Sequence, residues 1–142
     1  MPSLQDTMQE YQDMFSFLED PMDKFAQIID MGKTAKGLTA EERNENNRIT
    51  GCASQAWVVC SSNGDQTVIV RTDSDAHIVR GLLHILETVL SGRTFAEIDT
   101  VEASDILNNI GLNRSITSQR TNGFISAITK IKGEIRELKI AE

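Results

Sequence analysis

Between Ile78 and Leu90, eight of thirteen residues are large and apolar: Ile78, Val79, Leu82, Leu83, Ile85, Leu86, Val89 and Leu90. At 3.6 residues per turn they cover most of a helix circumference, and such a helix is stable only when buried on nearly every side. The rest of the chain must therefore wrap around it. Thr72-Asp73-Ser74-Asp75 offers capping side chains ahead of this helix, and Gly92 ends it. A chain of 142 residues has the material to do so, since roughly 70% of the unfolded surface is buried at this length. With 39% hydrophobic and 25% charged residues, disorder and fibrous architectures are excluded.

The flanking segments divide into two styles. Leu4, Met8, Tyr11, Phe15 and Leu18 recur every three or four residues, which predicts an amphipathic helix. Asp20-Pro21 interrupts the chain and starts a second helix bearing Met22, Phe25, Ile28, Ile29 and Met31, with Gly32 or Gly37 at its end. Residues 33–47 are polar, and Thr39-Ala40-Glu41-Glu42 resembles a short capped turn of helix. From Arg48 the pattern changes. Ala56–Cys60 and Thr67–Val70 are short β-branched runs flanking Ser61-Ser62-Asn63-Gly64-Asp65, and Asn-Gly is a strong hairpin signal. Arg48-Ile49-Thr50 adds a candidate third strand. A shorter helix is expected from Ala103 to Ile110, closed by Gly111, and a last one from Thr117 or Ser118 carries Phe124, Ile125, Ile128, Ile131, Ile135 and Leu138. Helices grouped around one cluster of strands, without βαβ alternation, predict an α+β fold: a small antiparallel sheet of about three strands with helices on one face.

Charge removes several functions. The formal net charge is −7, with 14 Lys plus Arg against 21 Asp plus Glu, and residues 1–47 hold most of the excess. No basic stripe with interleaved aromatics is present, so nucleic-acid binding lacks its electrostatic footprint. The acidic half reads as a solvated helical face or a surface for a basic protein. No apolar run approaches the roughly 20 residues that cross a bilayer, and Met1-Pro2-Ser3-Leu4-Gln5-Asp6 shows no secretory pattern, so a cytoplasmic protein is expected.

Metal and phosphate chemistry fare no better. Zinc ligands are limited to Cys52, Cys60, His77 and His84, and the two histidines stand about 10.5 Å apart along a shared helix, too far for one ion. There is no glycine-rich phosphate loop and no GxSxG elbow. What remains is thiol chemistry. Cys52 follows Gly51 and precedes small and polar residues at the mouth of a predicted strand, a placement that allows a reactive loop thiolate as well as a small buried side chain. Cys60 lies inside that strand. Fully extended, the eight-residue span separates the two sulfurs by roughly 26 Å, so a disulfide would form only if the chain folded back before Trp57, and this spacing assigns Cys60 a structural role. A Cys52 dyad with His77 or His84 has nothing to fix it, and Asp73-Ser74-Asp75 is explained by helix capping. Arg120, a cation near a helix start, fits an ion pair or a bound anion.

These residues together resemble the SufE family of sulfur-acceptor proteins. Gly51-Cys52-Ala53-Ser54-Gln55-Ala56-Trp57 is similar to the family's GCxSxxW, and Asp73-Ser74-Asp75-Ala76-His77-Ile78-Val79-Arg80-Gly81-Leu82 to its DSDAxIV[KR]GL. Gly111-Leu112, Arg120-Thr121-Asn122-Gly123 and the apolar stretch ending in Gly32-Lys33 follow in the family's order, so the resemblance spans residues 1–142 as one SufE-like domain. Ile116-Thr117-Ser118-Gln119 departs from the family's Leu-[Ser/Thr]-Pro-Ser, and position 80 is Arg where Lys is common, which preserves charge and matters little if the side chain faces solvent.

The resemblance implies that Cys52 accepts persulfide sulfur from a SufS- or CsdA-type cysteine desulfurase, stimulates that enzyme and passes the sulfur to iron–sulfur scaffold proteins. It implies no metal or cofactor of the chain's own; the pyridoxal phosphate belongs to the desulfurase. Such a protein is a transfer partner and activator more than an independent enzyme. Gly51, Ser54, Gln55, Trp57 and Asp75 would form the loop and docking face, and Arg120 would support the thiolate. The alternatives are an iron–sulfur scaffold of the IscU or SufU kind, which needs three cysteines plus an Asp or His, and an interaction module in which Cys52 is incidental.

Overall fold

The computed structural model describes residues 3–50, 54–112 and 118–141. Helix α1 (Leu4–Ser16) begins with a reciprocal cap between Ser3 and Asp6, and α2 (Pro21–Thr34) begins with Asp20 accepting the Met22 amide and Pro21 in the first turn. A 3-10 turn (Glu45–Asn47) leads to strands β1 (Ala56–Ser62) and β2 (Val68–Ser74). Then come α3 (His77–Leu90), α4 (Phe95–Asp99), α5 (Ala103–Asn109) and α6 (Ser118–Ala141).

The α+β architecture is as expected, with two differences. Among the described residues the sheet has two strands, because Arg48-Ile49-Thr50 contributes only an isolated bridge to Trp57. The second difference is β2, which runs through Arg71-Thr72-Asp73-Ser74. Those residues do not cap α3, whose first amides receive no side-chain cap; Ser74 Oγ accepts only the Ala76 amide, just ahead of it. The hairpin turn spans Asn63–Thr67, with Gly64 at φ +85°.

Helix α3 is the centre of the core, with Leu82, Leu83, Ile85, Leu86, Val89 and Leu90 all buried. It packs against α2 more closely than side chains normally allow. A Cβ at Gly32 would lie 2.0 Å from the His77 carbonyl oxygen, and one at Gly81 2.0 Å from that of Ile28. Gly32 is thus a contact inside α2, not the end of that helix.

The antiparallel register places Ala56, Val58 and Cys60 on one face of the sheet with Ser74, Thr72 and Val70. Helices α3 and α6 cover that face, where Val58, Val68 and Val70 are at most 1% exposed. The outer edge of β2 is occupied too. Val70 exchanges both backbone groups with Ser91 Oγ, Glu87 accepts the Thr72 amide, and Val68 pairs with Gly92 and Arg93.

Candidate functional site

The opposite face of the sheet carries Trp57 opposite Asp73 and Val59 opposite Arg71. Among the described residues the segment 35–43 lies across it, fastened by charge. Asp73 is only 4% exposed, and its carboxylate accepts the Leu38 and Ser74 amides at 2.9 and 2.8 Å. Arg80 forms an ion pair with it at 2.9 Å, and Arg43 a longer one at 3.9 Å. Arg80 also donates to the Ala35 carbonyl, and the Arg43 guanidinium stands 5.9 Å from the centre of the Trp57 ring. Arg71 pairs with Glu42 of the capped turn at Thr39, holding that carboxyl below its ordinary range.

The condition attached to Arg80 is not met: its half-buried side chain is a partner of a buried carboxylate, so the exchange of lysine for arginine there is not one at a solvated position. Gly37 makes the packing possible. Its φ is +71°, and a Cβ there would meet Arg80 Nη2 at 2.6 Å and Asp73 Oδ2 at 2.9 Å. Sequence reasoning missed this cluster, although a lone Leu38 beside Gly37 in a polar stretch was a usable sign of burial.

At the end of β1 nearest Asp73, the chain is pinned on both sides of the predicted cysteine loop. The Ile49 amide donates to the Ala56 carbonyl at 2.8 Å. Gln55 donates its amide to Asp75 Oδ1 at 3.1 Å, while its carbonyl accepts the Asp75 amide at 3.1 Å and the Ser74 hydroxyl at 2.7 Å. Asp75 itself is exposed, Trp57 is buried and Ser54 is half-buried. Gly51, Cys52 and Ala53 lie outside the described residues, and so do the roles expected of Gly51 and Cys52.

Cys60 is half-buried on the helix-covered face. Burial pushes its thiol up to about 12, the nearby Glu134 carboxylate adds to the effect, and Lys130 opposes it weakly. Glu134 is itself raised by burial. A thiol so rarely ionised is a poor nucleophile. The structural role expected of Cys60 therefore follows from burial. It does not follow from an extended span, because the Ile49–Ala56 bond shows that the chain reverses.

Other candidates are committed elsewhere. His84 Nδ1 faces Glu87 on its own helix at 3.3 Å, and His77 is exposed. Arg120 lies in the first turn of α6, half-buried, with its guanidinium 6.0 Å from the Phe25 ring. Among the described residues no three His, Cys, Asp or Glu side chains are grouped to hold a metal ion. A recess between α1, α4 and α5, lined by Leu4, Met8, Glu97, Val101 and Asp105, contains none of the predicted site residues. No helix among these residues is long and apolar enough to cross a membrane.

The fold and the sequence have relatives. A solution structure of a hypothetical protein from Thermus thermophilus superposes with a TM-score of 0.75 at 15% identity, covering 94% of this chain and 96% of that one. An uncharacterised SufE-like protein of Rhizobium etli is 39% identical over 127 residues, covering 87% of this chain and 86% of its own. Another from Rhizobium meliloti is 40% identical over 125 residues, covering 86% and 89%. SufE-like protein 1, chloroplastic/mitochondrial, of Arabidopsis thaliana is 28% identical over 133 residues, covering 94% of this chain but 36% of that longer protein. Residues 9–135 match the family model described as SufE, Fe-S metabolism associated domain. The chain belongs to the SufE family.

Proposed function

We propose that this protein is a sulfur carrier whose Cys52 accepts a sulfane sulfur from the persulfide of a SufS-type cysteine desulfurase and delivers it to iron–sulfur cluster assembly. One observation carries the choice of thiol. The sequence has two cysteines, and Cys60 is locked into the core face with its ionisation suppressed, which leaves Cys52 in the family's motif.

The step is a thiol–persulfide exchange. The Cys52 thiolate attacks the outer sulfur of the desulfurase persulfide, a new S–S bond forms on Cys52, and the old S–S bond breaks. Its electron pair leaves with the desulfurase cysteine, which takes up a proton; no external oxidant or reductant is consumed. Such a carrier needs no cofactor of its own, and a reducing compartment such as the cytoplasm keeps the acceptor thiol available. In this reading Gly51, Ser54 and Gln55 belong to the segment that meets the desulfurase, and Trp57 anchors the strand that follows. Asp75 and Arg120 border the docking face, with Arg120 favouring the thiolate.

The test is intact mass after incubation with a SufS-type desulfurase, its pyridoxal phosphate and free cysteine, without reductant. A gain of about 32 Da, one sulfur atom, is expected for wild type and for Cys60→Ser, and no gain for Cys52→Ser. A gain that persists in Cys52→Ser, or none on wild type with an active desulfurase present, overturns the proposal.

A further inference from the structure

Large apolar side chains in this protein are buried as a rule: Phe15, Phe95 and Phe124 are 1%, 6% and 2% exposed. The corner between α1 and α2 breaks the rule. Phe17 is 86% exposed and Met22 70%, and they lie five residues apart across the turn. This corner is built, not frayed. Phe17 is the C-cap of α1, the Leu18 amide donates to the Phe15 carbonyl, Asp20 caps α2 through the Met22 amide, and Pro21 occupies the first turn. Leu18 turns inward and packs against the core. The two apolar side chains are therefore held out in water at a fixed place, each losing the stabilisation that burial brings.

Charge defines what fits there. Residues 1–23 hold six acidic side chains and no Lys or Arg, and Glu19, Asp20 and Asp23 are exposed around the corner. A second copy of the chain would bring like charge against like charge, and an anionic bilayer would repel the corner for the same reason. A protein surface with an apolar recess bordered by Lys and Arg matches both properties. The patch also leads toward Arg120: Met22 and Phe25 are three residues apart on one helix face, and Phe25 lies against the Arg120 guanidinium.

We infer that the α1–α2 corner is a docking knob, with Phe17 and Met22 entering a basic-rimmed apolar recess on the partner that loads Cys52. The inference rests on the sulfur-carrier reading and extends its interface beyond the cysteine loop.

The experiment titrates a SufS-type cysteine desulfurase with the full chain at about 50 and 300 mM salt, on either side of the Debye length of roughly 10 Å at 0.1 M. Wild type is compared with Phe17→Ser/Met22→Ser and with Glu19→Gln/Asp23→Asn, each checked by its melting temperature. Both pairs are exposed, so melting should not change. The apolar pair is expected to weaken binding at least tenfold at both salts, and the acidic pair several-fold at low salt only. If wild type binds and gains sulfur while Phe17→Ser/Met22→Ser binds equally well, the knob is overturned and the carrier reading stands. If wild type neither binds nor gains sulfur, the carrier reading fails and takes the knob with it. A dimer of the free chain that Phe17→Ser/Met22→Ser dissociates, or sedimentation of wild type with phosphatidylserine vesicles, would assign the corner to a different occupant and overturn the inference.

Discussion

The two faces of the small sheet are held by different forces. One face buries Val58, Val70 and Cys60 under α3 and α6 and is stabilised by removing apolar surface from water. The other is held by ion pairs. Asp73, Arg80, Arg43, Arg71 and Glu42 fasten an irregular segment across it. Apolar packing tolerates a lost methyl group at moderate cost, whereas a buried carboxylate that loses its cations, or the reverse, leaves an uncompensated charge. The face next to the predicted cysteine loop is thus the more specific and the more fragile.

Asp73→Ala would break this arrangement most severely. It strands Arg80, Arg43 and the Leu38 amide, and is expected to cost about 3 kcal/mol, the low end for a broken buried pair because Arg80 keeps some solvent access. Val70→Ala on the other face should cost less, about 2 kcal/mol, since only packing is lost. Urea titration of both variants tests the ranking, and a larger loss for Val70→Ala would show that the ionic cluster adds little.

A backbone change sharpens the same contrast. Gly37→Ala forces a side chain into left-handed backbone and against Arg80 and Asp73, with an expected loss of about 1–2 kcal/mol. An unchanged urea midpoint would mean that segment 35–43 shifts without cost.

The smallest expected effect concerns Cys60. In a Cys52→Ser background, alkylation should stay slow at pH 8–9 and speed up as pH nears 12 or the chain unfolds. Stability has the matching sign. The folded thiol holds its proton where the unfolded one releases it, so stability falls with rising pH from the ordinary thiol range near 9 towards 12. Fast alkylation at pH 8 would place the thiol outside the core.

Much of the fold could be read from periodicity. The buried α3, the apolar stripe of α1 and the capped start of α2 follow from local rules, and the hairpin signal at Asn63-Gly64 falls within the β1–β2 turn. The polar half of β2 could not, because Arg71 and Asp73 look like turn or cap residues unless their distant partners are known. Helix α4 escaped notice at five residues, although Thr94 and Glu97 form a capping box visible in the sequence. The motif at Gly51–Trp57 and the Asp73–Leu82 stretch pointed to the family, but not to the reason for Asp73. That reason lies in segment 35–43, far away along the chain, and long-range ion pairs leave no periodic trace.

The outer edge of β2 has one more consequence. A two-stranded sheet is mostly edge, and bare strand edges recruit other strands into aggregates. Here Ser91, Glu87, Gly92 and Arg93 already occupy the hydrogen-bonding positions of Val68, Val70 and Thr72. The C-terminal half of α3 and the residues just after it act as a selvedge along β2. The protein can hold strands at its surface and still stay apart from its neighbours along that side.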